Sequence, residues 1–178
     1  DGVDRWVAAG FEQAEQEWAA KLDRVTVKLP GEADELAKTL RAQLGFILVN
    51  RDSGGVQPGS RSYERSWIRD GALTSSALLR MGHPEAAREF LDWFAPYLYS
   101  DGKVPCCVDA RGSDPVPEHD SGGEFLFLLA EVVRYTGDAA LARQHWPAAQ
   151  RVVAYYDSLR NTTRTAEYRT PDKAHFFG

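Results

Sequence analysis

This sequence predicts an all-α fold, and three observations carry that expectation. Apolar residues recur at helical spacing in six successive segments of the 178-residue chain. Gly, Pro and Asp fall at the points where those segments stop and start. A weak internal repeat then links the middle of the chain to its later part. Arg80-Met81-Gly82 with Ala87-Arg88 matches Arg134-Tyr135-Thr136-Gly137 with Ala142-Arg143. The two turn glycines stand 55 residues apart, and Asp70 and Asp120 stand 50 apart. A repeat of that length built from helix pairs marks a helical array.

The first helix is expected over Val3–Leu22, where Val3, Trp6, Phe11, Ala14, Trp18 and Leu22 share one stripe. Val25–Leu29 alternates briefly and meets Pro30-Gly31, a break or a short extended connection. Leu36, Leu40, Leu44, Ile47 and Leu48 give a second helix over Ala33–Val49. Asn50–Ser62 is rich in Gly and Pro and reads as a loop. Ser66 is the expected N-cap of a third helix ending at Gly82, a residue suited to the left-handed position after a helix. Pro84 suits the first position of the fourth helix, with Ala87, Phe90, Leu91, Phe94 and Leu98 as its stripe. A long loop is expected over Ser100–Asp120. Ser121-Gly122-Gly123-Glu124 has the spacing of a capping box and opens the fifth helix. Thr136-Gly137-Asp138 ends it and caps a sixth, whose expected stripe is Leu141, Trp146, Ala149, Val153, Tyr156 and Leu159.

The third and fifth helices are nearly uncharged after their first turns, whereas the others are amphipathic. That alternation predicts two layers, with the uncharged helices inside. Domain boundaries follow: 1–31 as a linker helix with a short extended connection, and 32–178 as helical hairpins.

Composition limits the function. Hydrophobic residues make up 43%, enough for a core, and charged residues 26%. A net charge of −5 without a basic block argues against a nucleic-acid partner. No apolar run approaches the roughly 20 residues that span a bilayer, so no membrane partner is expected. The chain begins at Asp1 without a signal-like segment, which reads as a processed product or a fragment. A secreted or periplasmic setting is preferred over a cytoplasmic one. Cys106 and Cys107 are the only cysteines, and adjacent cysteines rarely pair with each other. Burial as small apolar residues is the expectation for them. No metal or cofactor is expected: two cysteines and scattered histidines fall short of a ligand set. Aromatic residues reach 11%, compatible with a carbohydrate cleft in which apolar sugar faces stack on rings.

Two constellations carry chemistry. The first is Tyr63, Trp67, Arg69 and Asp70 at the mouth of the third helix. Arg supplies fixed donors, Asp acceptors and Trp a flat apolar face, which together suit a polar ring with vicinal hydroxyls. The bland reading has Asp70 complementing the helix dipole by about 0.3–1 kcal/mol, Arg69 paired with Glu64 or solvated, and Trp67 in the core. The second is Glu118-His119-Asp120 before the fifth helix. Two carboxylates and an imidazole there suit acid–base work or hydroxyl binding. The bland reading has Asp120 capping the helix and Glu118 solvated.

Pro58-Gly59-Ser60-Arg61-Ser62-Tyr63, Trp67-Ile68-Arg69-Asp70 and Glu118-His119-Asp120-Ser121-Gly122, in this order, resemble bacterial members of the six-hairpin glycosidase superfamily, glucoamylase-like glycoside hydrolases among them. The resemblance covers roughly Ala33–Gly178 and implies an (α/α)6 toroid. Ala33–Val49, Pro84–Leu98 and Asp138–Leu159 would be outer helices, Trp67–Met81 and Ser121–Tyr135 inner ones. It implies that inner-helix N-termini line a cleft for an oligosaccharide or glycoside, and that Arg69 and Asp70 grip hydroxyls next to the scissile bond. With them, Tyr63, Trp67 and His119 are the expected substrate-binding residues. Glu118 and Asp120 are catalytic candidates, although the resemblance implies that the general acid and base lie beyond Gly178. The chain holds two and a half to three of six hairpins, and its first helix looks like the linker from an N-terminal β-sandwich. It is therefore expected to be the first half of a toroid, completed by the rest of the ring or a second chain, with its inner-helix flanks exposed.

The leading expectation is a segment of a glycosidic-bond-hydrolysing enzyme. A non-catalytic carbohydrate-binding module and a helical protein-binding scaffold are the alternatives.

Overall fold

The computed structural model describes residues 2–59 and 63–163. Ser60–Ser62 of the Pro58–Tyr63 motif and the terminal Ala174–Gly178 lie outside the described residues. The fold is all-α: helices α1 (Gly2–Leu22), α2 (Asp34–Val49), α3 (Ile68–Arg80), α4 (Pro84–Phe94), α5 (Ser121–Thr136) and α6 (Ala139–Thr163). Short 3-10 turns precede α2 (Gly31–Ala33) and follow α4 (Ala95–Tyr97).

The helix ends follow their sequence signals where the backbone alone decides. Gly82 takes φ +82° after α3. The amide of His83 donates to the Leu78 carbonyl at 2.8 Å and that of Gly82 to Leu79 at 3.3 Å, closing the last turn in the six-to-one, five-to-two pattern. Gly137 repeats the left-handed conformation after α5. The Asp138 carboxylate then caps α6, accepting from the amides of Ala140 (2.8 Å) and Leu141 (3.1 Å).

Two expected caps are displaced. Ser66 is not the cap of α3: Ser66–Trp67 forms strand β3, and Trp67 holds the cap position without a side-chain bond. Ser121 is the first helical residue of α5, so the capping box is absent. Its buried hydroxyl has no hydrogen-bond partner among the described residues.

The expected loops carry small sheets. Within 50–62, β1 (Arg51–Asp52) pairs antiparallel with β2 (Gly55–Val56). Within 100–120, β4 (Cys107–Asp109) pairs with β5 (Gly112–Ser113) and with β3, in the register Ser66↔Val108 and Trp67↔Cys107. The amide of Ile68 donates to the Cys106 carbonyl at 3.0 Å, so this sheet sets where α3 begins.

The main core lies among α3, α4, α5 and α6, around Ile68, Phe90, Phe94, Phe125, Leu128 and Val152. Helices α3 and α5, free of charge over 71–79 and 125–130, pack on each other, with α4 against both and α6 against α5. Glu131 on α5 is buried and accepts from Ser76 and Arg80 of α3 while pairing with Arg134. Asp92 of α4 pairs with His145 of α6 at 2.7 Å, so His145 makes a bond as well as packing. The stripe of α6 is Leu141, His145, Ala148, Ala149 and Val152. Trp146 and Val153 are instead 60% and 50% exposed, because at 3.6 residues per turn they sit well off the face that Leu141 begins.

A second, smaller cluster joins α2 to the α3–α4 turn through Leu44, Leu78, Met81 and Ala86, with Leu22 against it. His83 fixes the end of α1 by a 2.8 Å bond to the Lys21 carbonyl. The expected stripe of α1 is uncovered over its N-terminal part, with Trp6 78% and Phe11 69% exposed, whereas Trp18 and Leu22 are half-buried. Apolar surface also shows at Leu73 on α3 and Phe127 on α5. No helix among the described residues is long and apolar enough to cross a membrane.

Candidate functional site

Arg69 is the centre of the site. It is the second residue of α3, and the β3–β4 pairing aims that first turn at the segment leading into α5. Its Nε donates to Asp120 and its Nη2 to Glu118, each at 2.5 Å. The two sequence constellations, 49 and 51 residues apart, thus meet through one guanidinium. Arg69 pairs neither with Glu64 nor with solvent alone. Its pKa is raised, chiefly by the Asp120 bond, and Asp120 is held below the usual carboxylate range, chiefly by the same bond. Asp120 stands at the cap position of α5, but its carboxylate serves Arg69 rather than the helix.

Tyr156 of α6 fixes this mouth from the other side. Its hydroxyl donates to the His119 carbonyl at 2.8 Å and accepts from the Gly122 amide at 3.0 Å. Only glycine fits at 122, since a Cβ there would lie 2.2 Å from the Tyr156 ring. Burial pushes the Tyr156 phenol pKa up.

Beside the clamp lies an open cleft of about 600 Å³. Leu73, Leu126 and Phe127 form its apolar side, and His119, Asp120, Glu124 and Tyr156 its polar side. Glu124 follows Asp120 by one helical turn and makes no side-chain hydrogen bond or ion pair among the described residues. Burial first, and the charge of Asp120 second, push its pKa above the ordinary value. Sequence reasoning treated Glu124 as half of a capping box and missed its place in the cleft. The signal was available in the i, i+4 spacing of two acids at a helix start.

The other expected residues are placed as follows. Asp70 is half-buried in the first turn of α3, and its carboxylate has no partner among the described residues. Trp67 is half-buried, with the exposed Tyr63 ring 5.9 Å away and the Arg65 guanidinium 5.6 Å from its own ring. Tyr63, Trp67, Arg69 and Asp70 do not line the cleft. His119 does, and its side chain is exposed.

Among the described residues one group has metal-ligand spacing: Cys106, Cys107 and Asp114. Both thiols are buried, and burial pushes both thiol pKa values up, that of Cys107 to about 12, while Asp114 pairs with Arg65 at 2.8 Å. The sulfurs lie 3.5 Å apart as free thiols, in keeping with their expected role as small buried residues.

No protein-family model, curated protein or solved structure matches this chain.

Proposed function

We propose that this chain supplies a carbohydrate subsite of a glycoside-acting enzyme of the six-hairpin type. The observation that carries the reading is the Arg69 clamp. One guanidinium, held by Glu118 and Asp120, ties the mouths of the two uncharged helices beside a cleft with one apolar and one polar side. Arg69 keeps N–H donors beyond the two that the carboxylates take. Asp70, without a partner among the described residues, offers acceptors next to it. Donors and acceptors one residue apart suit the vicinal hydroxyls of a sugar, and Leu73, one helical turn on from Arg69 and part of the cleft lining, suits its apolar face.

Asp120 is the wrong group for a general acid, because its bond to Arg69 keeps it ionised. Glu118 and Asp120 act on this reading as positioning residues that hold Arg69 still. The proton-transfer pair of a glycosidase then belongs to residues beyond the described ones. The same observation favours a second reading, a sugar-binding module without catalysis.

Calorimetric titration with a panel of neutral trisaccharides tests the shared core of both readings. Wild-type chain is expected to bind at least one of them, and Asp70→Ala or Arg69→Ala to weaken it by about tenfold or more. Binding that survives both substitutions, or none in the wild type, overturns the proposal. Hydrolysis of a bound trisaccharide, as against binding alone, separates enzyme from module.

A further inference from the structure

We propose that Glu124 is a ligand-reading residue of the cleft, meeting an uncharged sugar as a hydrogen-bond donor from its carboxylic acid form. The inference rests on the carbohydrate reading and adds to it a specific contact and a ligand class.

Three carboxyl groups, Glu118, Asp120 and Glu124, stand at the mouth of α5. Two of them are taken by Arg69. Glu124 alone of the three keeps its side chain unengaged among the described residues while lining the cleft. Leu73 from α3 and Leu126 and Phe127 from α5 make its surroundings apolar. A carboxylate there loses hydration without an ion pair of its own among the described residues, and the pull of Arg69 on it is outweighed by burial and by Asp120. The charged and titratable groups facing it are Asp120 and His119 before the helix, Arg69 on α3 and Tyr156 on α6. The upward push on the Glu124 pKa by burial and by Asp120 agrees with the acid form.

The ligand class follows from charge. Glu118 and Asp120 outweigh the one positive charge of Arg69, so an acidic sugar meets net repulsion at this mouth. An uncharged glycoside accepts the Glu124 proton through a hydroxyl or ring oxygen at no such cost.

The test compares wild type, Glu124→Gln and Glu124→Ala across pH, with maltotriose, cellotriose and galactotriose as neutral probes and trigalacturonate as the acidic one. Circular dichroism checks that each variant folds. Wild-type affinity for a neutral probe is expected to be highest at acidic pH and to fall about three- to tenfold as pH rises through the Glu124 titration. Glu124→Gln, a donor at every pH, should keep the low-pH affinity and lose that dependence. Glu124→Ala should bind about three- to tenfold more weakly at low pH. Trigalacturonate should bind more weakly than any neutral probe that binds. A wild-type pH profile retained in Glu124→Gln, or preferred binding of trigalacturonate, overturns the inference while leaving the carbohydrate reading standing. Absence of any sugar binding in the wild type at every pH overturns both.

Discussion

Arg69 shows how much one side chain organises. Asp120 is held below its ordinary range in the folded chain, so it binds fewer protons there than when unfolded. Its contribution to stability is present above the unfolded value of about 3.9 and is lost as pH falls through the lowered folded value. Arg69 and Asp120 are about two-fifths exposed and Glu118 about one-third, so solvent limits the pairs on Arg69 to about 1 kcal/mol together. Arg69→Ala is therefore expected to lower unfolding free energy by about 1 kcal/mol at pH 7. The difference from wild type should shrink on acidification, as read from urea unfolding at a series of pH values. Cys106 and Cys107 make a second residue-scale expectation. With Cys107 near 12, against about 8.5 for a free thiol, iodoacetamide at pH 8 should label the folded chain more than tenfold more slowly than the unfolded one.

At the scale of elements, close approach between helices governs what each position tolerates. Gly71 lets α3 lie on α4, since a Cβ there would fall 2.1 Å from the fully buried Phe90 ring. Gly71→Ala gains about 1 kcal/mol of helix propensity but overpacks a filled core at about 1–3 kcal/mol. A net loss is expected in the denaturation midpoint, recovered in part by Phe90→Leu in the same chain. The helices themselves were legible because their signals are local: Pro84, Gly82, Gly137 and Asp138 all act within a turn of themselves. The displaced Ser66 cap and the α5 cap position, where Asp120 makes no side-chain cap bond, have the opposite origin. Ser66 was drawn into a strand by Val108, and Asp120 was drawn from the helix by Arg69. Neither partner is near in sequence. Pro147 shows a local signal overruled, since α6 continues through it. His145, Ala148 and Val152, on either side of it in the same helix, are buried in the core, and that packing offsets the lost backbone bond.

Across the whole molecule, the apolar surface is unevenly covered. The helices α3 to α6 bury most of their apolar stripes in one core, whereas α1 leaves Val3, Trp6 and Phe11 exposed on a helix with no buried residue. Periodicity revealed that α1 has an apolar face but carried no information on what covers it. Trp6→Gln with Phe11→Gln should leave unfolding free energy within about 0.5 kcal/mol of wild type. The same pair should lower the binding of a fluorescent apolar dye and any self-association in sedimentation velocity. The all-α class was likewise legible from periodicity, and the site only in two halves. Residues 66–70 and 118–120 could each be picked out, but their meeting through Arg69 depends on the β3–β4 pairing of two segments too short to announce themselves.

That pairing also orders events in time. Each helix closes its bonds within one or two turns of chain, while β3 meets β4, and Arg69 meets Asp120, only after some 40 to 50 intervening residues have been gathered in. Such closures carry an entropy penalty that local turns do not, so they follow the helices during folding. The mouth of α3 is then among the last parts to assemble and the first to open, and amide exchange at Ile68 and Arg69 should outpace that in the middle of the same helix.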